Sequence, residues 1–193
     1  MDLSLSARAH LRRMALIAIA AVLLQPPAAR AEVTTEYKLK AAYLLNFVRF
    51  SKWPTNSFAA ADAPLVIGVL GENPFDTALG EIVRGRIVNG RTVVVKRVAT
   101  AQEAKLCQVV FIPASEQANL PRHLETLRDA PVLTIGENAD FLDDGGIIRF
   151  FIQQNKIRFD INKAQADATG MQIDSQLLSL AADVRESNRK KGN

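Results

Sequence analysis

Three short runs rich in apolar and β-branched residues constrain this chain more than any other feature: Leu65–Leu70, Val109–Ile112 and Pro131–Ile135. Each is bounded by turn residues and too short for a buried helix, as expected of strands buried on both faces. Helical stretches separate them. Pro74–Val83 suits a short helix, and Ser115–Asp129 a longer one, with Ser115 as cap and Pro121 dividing it in two. Strands alternating with helices argue for a sheet with parallel neighbours. Val93–Val98 adds a strand after Asn89-Gly90, a turn signal that suits a tight hairpin or a loop into the strand.

The flanks differ in style. Glu36–Lys52 predicts a helix capped at Thr34 or Thr35 and closed by Trp53-Pro54, with Tyr37, Ala41, Leu44, Leu45 and Val48 at helical spacing. After Gly145-Gly146, Ile147–Gln154 and Ile157–Ile161 read as a hairpin turning at Asn155-Lys156, with Ile152 opposite Phe159 and Phe150 opposite Ile161. That register gathers the apolar residues on one face and leaves Arg149, Phe151, Gln153, Arg158 and Asp160 on the other. Asn162 can cap a short helix ending at Gly170, and Ser175 precedes a last helix carrying Leu177, Leu178, Leu180, Ala181 and Val184 on one side. The fold class that follows is α/β: one three-layer domain, a largely parallel sheet with a C-terminal antiparallel hairpin, and flanking helices.

The N-terminus reads as an export signal. Arg8, His10, Arg12 and Arg13 precede the apolar run Met14–Leu24, then Pro26-Pro27 and the small-residue site Ala29-Arg30-Ala31. The run is shorter than the roughly 20 residues of a membrane span. Residues 1–31 are thus expected to be cleaved, leaving a domain over 32–185 and a polar tail over 186–193, in the periplasm and not membrane-spanning. Without the leader, 20 Lys and Arg face 19 Asp and Glu, so the high overall pI is a leader effect and gives no support to nucleic-acid binding.

Catalytic and cofactor chemistry finds little to use. Cys107 is the sole cysteine, placed at the head of an apolar run as a small buried hydrophobe, so no intrachain disulfide can form. His123 is the sole histidine after the leader and reads as a solvated helix residue, which excludes multi-histidine or multi-cysteine zinc sites. Gly68–Pro74 has G-x-x-G rather than G-x-G-x-x-G, with Glu72 where a phosphate would need bare amides. No enzyme, cofactor or metal is expected.

One ordered set of segments resembles a known family. It comprises Tyr37–Phe47 with Trp53-Pro54, Ile67–Gly71 with Pro74-Phe75, Val88–Arg91, Cys107–Ile112, Leu133–Gly136, Gly145–Ile148, Ile157–Asn162 and Ser175–Ala181. Together they resemble the YfiR-like family of periplasmic proteins. The resemblance implies a non-enzymatic regulator that binds the periplasmic part of an inner-membrane diguanylate cyclase. It would hold cyclic di-GMP synthesis down until an outer-membrane lipoprotein or an envelope signal removes it. It also implies a homodimer. Relatives can carry cysteine pairs that tune activity; Cys107 alone leaves such a switch no partner within the chain.

A domain without a catalytic constellation acts by binding, and two surfaces are candidates. A protein-binding surface would use Arg149, Phe151 and Arg158 of the hairpin, with Leu177 and Leu178 of the last helix. A ligand crevice would lie at the carboxyl ends of the parallel strands, near Glu72, Asn73, Ser115 and Glu137. The alternative functions are a periplasmic small-molecule binding protein feeding a membrane sensor or transporter, and a secreted hydrolase resting only on Ser115 and His123.

Overall fold

The computed structural model describes residues 27–187, with side chains from Thr35 onward. The expected leader run Met14–Leu24 and the end of the tail lie outside the described residues. The chain divides into two compact units at Glu36 and Tyr37. Of the first, the described part is the opening stretch of α1 (Pro27–Arg49). This helix starts earlier than expected. Thr34 and Thr35 therefore lie inside the helix rather than capping it. It also ends sooner, and Ser51–Lys52 (β1) turns into a small antiparallel sheet with Gln172–Ile173 (β9).

The unit from Tyr37 onward is built on an eight-stranded sheet. Its strands are β2 (Leu65–Leu70), β3 (Ile87–Val88), β4 (Arg91–Val98), β5 (Val109–Ile112), β6 (Leu133–Gly136), β7 (Ile148–Gln153), β8 (Lys156–Asn162) and β10 (Val184–Arg185). The order is β10-β8-β7-β6-β5-β2-β4-β3. β4, β2, β5, β6 and β7 run parallel, and antiparallel pairs occur at β3–β4 and β7–β8. Asn89 and Gly90 both take positive φ, 51° and 78°, which makes the β3–β4 link the tight hairpin turn that Asn-Gly favours.

The helices are α2 (Ala78–Val83), α3 (Ala101–Ala104), α4 (Leu120–Leu127), α5 (Lys163–Ala168) and α6 (Ser175–Leu180). The segment after β5 is in two pieces as Pro121 implies, a 3-10 stretch over Ala114–Asn119 and then α4. Ser115 caps neither piece; Pro113 holds the N-cap position of the first. Asn162 does cap α5, its carboxamide oxygen accepting from Gln165 N. Asp174, not Ser175, caps α6, and the helix stops at Leu180, so Val184 belongs to a strand instead.

Two cores lie on opposite faces of the sheet. On the first, Ala41, Leu44, Phe47 and Val48 of α1 are fully buried against Ile67, Val69, Val109, Phe111, Leu133, Ile135 and Phe150. Phe47 stacks on Phe150 at 5.4 Å and meets Phe159 edge-on at 4.9 Å. Burying Leu44, Phe47 or Val48 contributes about 1.5–3 kcal/mol each, and each aromatic pair about 0.5–1.5 kcal/mol more. This, rather than helix propensity, holds α1 down. The second core joins Leu70, Val110 and Ile112 to Ala101, Ala104, Leu120, Leu124 and Leu127. Cys107 belongs to it, with its sulfur against Gly68, and burial pushes its thiol pKa up. Phe141 lies fully buried across Gly136 and Gly146, where a side-chain carbon on either glycine would overlap the ring.

Candidate functional site

The hairpin has the expected faces in a different register. Phe150 pairs with Phe159 and Ile152 with Ile157, two residues from the predicted alignment, because the turn falls on Gln154-Asn155, with φ of 49° and 61°. A slip of two preserves which side chains share a face. Ile148, Phe150, Phe159 and Ile161 therefore enter the core under α1, and Arg149, Phe151, Arg158 and Asp160 share the opposite face.

That face is organised by ion pairing. Arg149 donates to Asp160 Oδ2 at 2.5 Å and to the Ala139 carbonyl at 2.7 Å, with its guanidinium 5.4 Å from the Phe151 ring centroid. Asp160 is buried, so the pair fixes Arg149 in place. Phe151 is half-buried and sits cross-strand from the exposed Arg158. Farther along β8, Asn162 lies beside Arg185, which donates to Asp143 at 2.5 Å. There a polar cavity of about 290 Å³ opens, lined by Asn162, Gln165, Arg185, Asp143, Asp144 and Arg128, among others. The Nε atoms of Arg149 and Arg185 are buried without a hydrogen-bond partner.

Two residues expected on this surface are elsewhere. Leu177 is 2% exposed and Leu178 half-buried, and both pack into the core beneath α1, on the other side of the sheet from Phe151. Their spacing reflects the buried stripe of α6.

The strands' carboxyl ends are occupied by their own side chains. Glu137 accepts from Lys40 at 2.5 Å and from the Tyr37 hydroxyl at 3.0 Å, with Lys40 and Glu137 side chains 6% and 11% exposed. Asn73 spends its carboxamide on its own turn, accepting from Phe75 N and donating to Asp76 O. Glu72 and Ser115 are exposed. Glu116 instead fills the space over Gly71, and it bonds His123 Nε2 at 3.1 Å. His123 is thus a half-buried partner of a carboxylate, not a solvated helix residue. The four crevice residues are not assembled into one site.

Several of the family-like motif residues are fastenings. Trp53 donates its indole N–H to the Gln108 carbonyl, and the Gln108 side chain accepts from Val66 N and donates to the Ser57 carbonyl. Arg91 stacks at 3.7 Å on Phe58 and donates to the Ala60 and Ala63 carbonyls. Together they pin the loop over residues 55–64 at the amino ends of the strands. Sequence reading missed Lys40 and the Arg185–Asp143 pair. Lys40 had a signal, since a charge three residues after Tyr37 and four before Leu44 falls on the helix's buried stripe.

The chain belongs to the YfiR/HmsC-like family, whose pattern matches residues 37–182. No curated protein matches it. Among solved structures it is similar to an ABC domain in complex with L-Trp from Streptococcus pneumoniae, at 14% identity and a TM-score of 0.45, covering 62% of this chain and 55% of that one. A conserved domain protein from Vibrio cholerae is similar at 14% identity and a TM-score of 0.45, covering 62% of this chain and 54% of that one. The chain thus spans about half the length of these structures. Among the described residues no helix is long and apolar enough to cross a membrane.

Proposed function

We propose that this protein is exported by cleavage after Ala31 and works in the periplasm as a non-enzymatic regulator. It binds the periplasmic part of an inner-membrane diguanylate cyclase and represses it, until an outer-membrane lipoprotein or an envelope signal draws it away; the working form is a homodimer. Family membership supports the class. The observation that carries the contact is the hairpin face, where half-buried Phe151 lies between the ion-paired Arg149 and the exposed Arg158. Aromatic and arginine side chains on an otherwise ordered surface are the composition of a binding hot spot.

Phe151→Glu tests this in the source cells. The expected outcome is raised cyclic di-GMP with a native-like melting curve, since a half-exposed position tolerates a charge. Unchanged cyclic di-GMP removes Phe151 from the contact, and a collapsed melt assigns it to the core.

A second reading, a small-molecule binding protein feeding a membrane sensor or transporter, draws on the polar cavity beside Asn162 and Arg185 rather than on the strands' carboxyl ends. A cyclase retained on the protein from native membranes without added ligand favours the first reading over this one.

A further inference from the structure

The β7–β8 hairpin outruns its neighbours on both sides. β6 pairs with it only at Ile148 and Arg149, and β10 only at Ile161 and Asn162. From Phe150 to Arg158 it stands as a two-stranded ribbon, with Ile152 56% exposed.

Hydrogen bonding shows which backbone groups are free. Asn162 N donates across the hairpin to Ile147 O, whereas Ile161 N donates outward to Asp183 O and Phe159 O accepts outward from Ala182 N. Alternation along β8 then turns the N–H and C=O of Ile157 and the N–H of Phe159 away from β7. Among the described residues no strand lies beside Ile157, and beside Phe159 the neighbouring segment bonds only the carbonyl, through Ala182 N. Lys156 and Arg158 flank this open edge, exposed and without an ionic partner among the described residues; of the acids nearby, Asp160 is taken by Arg149 and Asp183 lies on the segment bonded to Ile161.

We infer that this edge takes up an extended segment of a partner protein as an added strand, and that the segment alternates apolar and acidic side chains. Main-chain bonds to Ile157 and Phe159 supply the pairing, and acids beside Lys156 and Arg158 supply the selection. A second copy of this chain fits poorly. Antiparallel self-pairing of β8 centred on Ile157 sets Lys156 opposite Arg158, and centred on Arg158 it sets Arg158 opposite itself. Like charges directly opposite are destabilising, so the cations that discourage self-association select an acidic partner. The inference rests on the regulator reading, with the cyclase's periplasmic part as the source of the segment.

The test is amide hydrogen exchange on the full chain, with a synthetic extended peptide of about ten residues alternating valine and glutamate, the length of a long strand. A matched valine–lysine peptide is the control. The valine–glutamate peptide is expected to slow exchange at Ile157 and Phe159 by about tenfold or more, and the control to leave both unchanged. In Lys156→Glu with Arg158→Glu the preference reverses. No slowing at these two amides, or slowing indifferent to peptide charge, overturns the inference. Retention of the cyclase from inner-membrane vesicles separates the two claims. If the native chain and the folded double variant retain it equally, the edge is wrong and the regulator reading stands. If the native chain retains none while the acidic peptide protects both amides, the edge stands and the regulator reading fails.

Discussion

The centre of the sheet and the β7–β8 hairpin are made from similar side chains and treated differently by their neighbours. β2, β5 and β6 are covered on both faces, so their burial is nearly unbroken along each strand. The hairpin is covered on one face by α1, and the other keeps Arg149, Phe151 and Arg158 partly or wholly open. A strand enclosed on both sides can only hold the domain together. One enclosed on a single side holds its place with one set of residues and is free to bind with the other, and the alternation in Ile-Arg-Phe-Phe-Ile-Gln is the trace of that division.

Perturbing the enclosed parts should unfold the domain, whereas changes on the hairpin should be tolerated. The largest loss is expected from Phe141→Ala, about 3–5 kcal/mol in urea titration, because a fully buried ring leaves a cavity between two glycines. Lys40→Met should come close, at about 3–5 kcal/mol, by leaving the largely buried Glu137 carboxylate without its cation. Adding Glu137→Leu should return much of that loss; a double variant as unstable as the single would show that the pair is not what anchors α1 to β6. Asn162→Ala, at the junction of hairpin and α5, should cost about 1 kcal/mol by removing the cap on Gln165 N. At the ribbon's tip the sign should reverse. Gln154→Asn with Asn155→Gly suits the left-handed turn and should raise stability by up to about 1 kcal/mol.

Cys107 sharpens the contrast through pH. Its thiol pKa is raised by burial, a rise opposed by Lys96 and added to by Glu103. A raised folded pKa means the unfolded chain loses this proton first. The contribution is therefore complete below the ordinary cysteine range and is lost as pH rises through the folded value. Cys107→Ala should flatten the alkaline limb of stability against pH; an unchanged limb would place its cause elsewhere.

Much of this division was legible. Leu65–Leu70 and Val109–Ile112 coincide with β2 and β5, since a short apolar run between turn residues has few other uses. The faces of the hairpin were also readable, because they depend only on alternation. Its register was not. Gln154-Asn155 and Asn155-Lys156 both make two-residue turns, and nothing in a glutamine announces a φ of 49°. Distant pairings were likewise hidden: Glu137 looked available until Lys40, 97 positions away, was seen to reach it. Leu177 and Leu178 looked like a contact surface for the opposite reason, since an amphipathic stripe has the same spacing whether a core or a partner covers it.

The seat of Phe141 bears on the thermodynamics of association. The segment it anchors leaves β6 at Gly136 and returns at Gly146, immediately before the hairpin, and the ring closes on both ends. The hairpin's base is therefore locked to the central strand, and its direction is set before any encounter. A partner meeting a fixed template forgoes little rotational and conformational freedom on that side, so a modest contact area can still give useful affinity. Loosening the seat without unfolding the chain would weaken association as an entropic loss, with every contact residue unaltered.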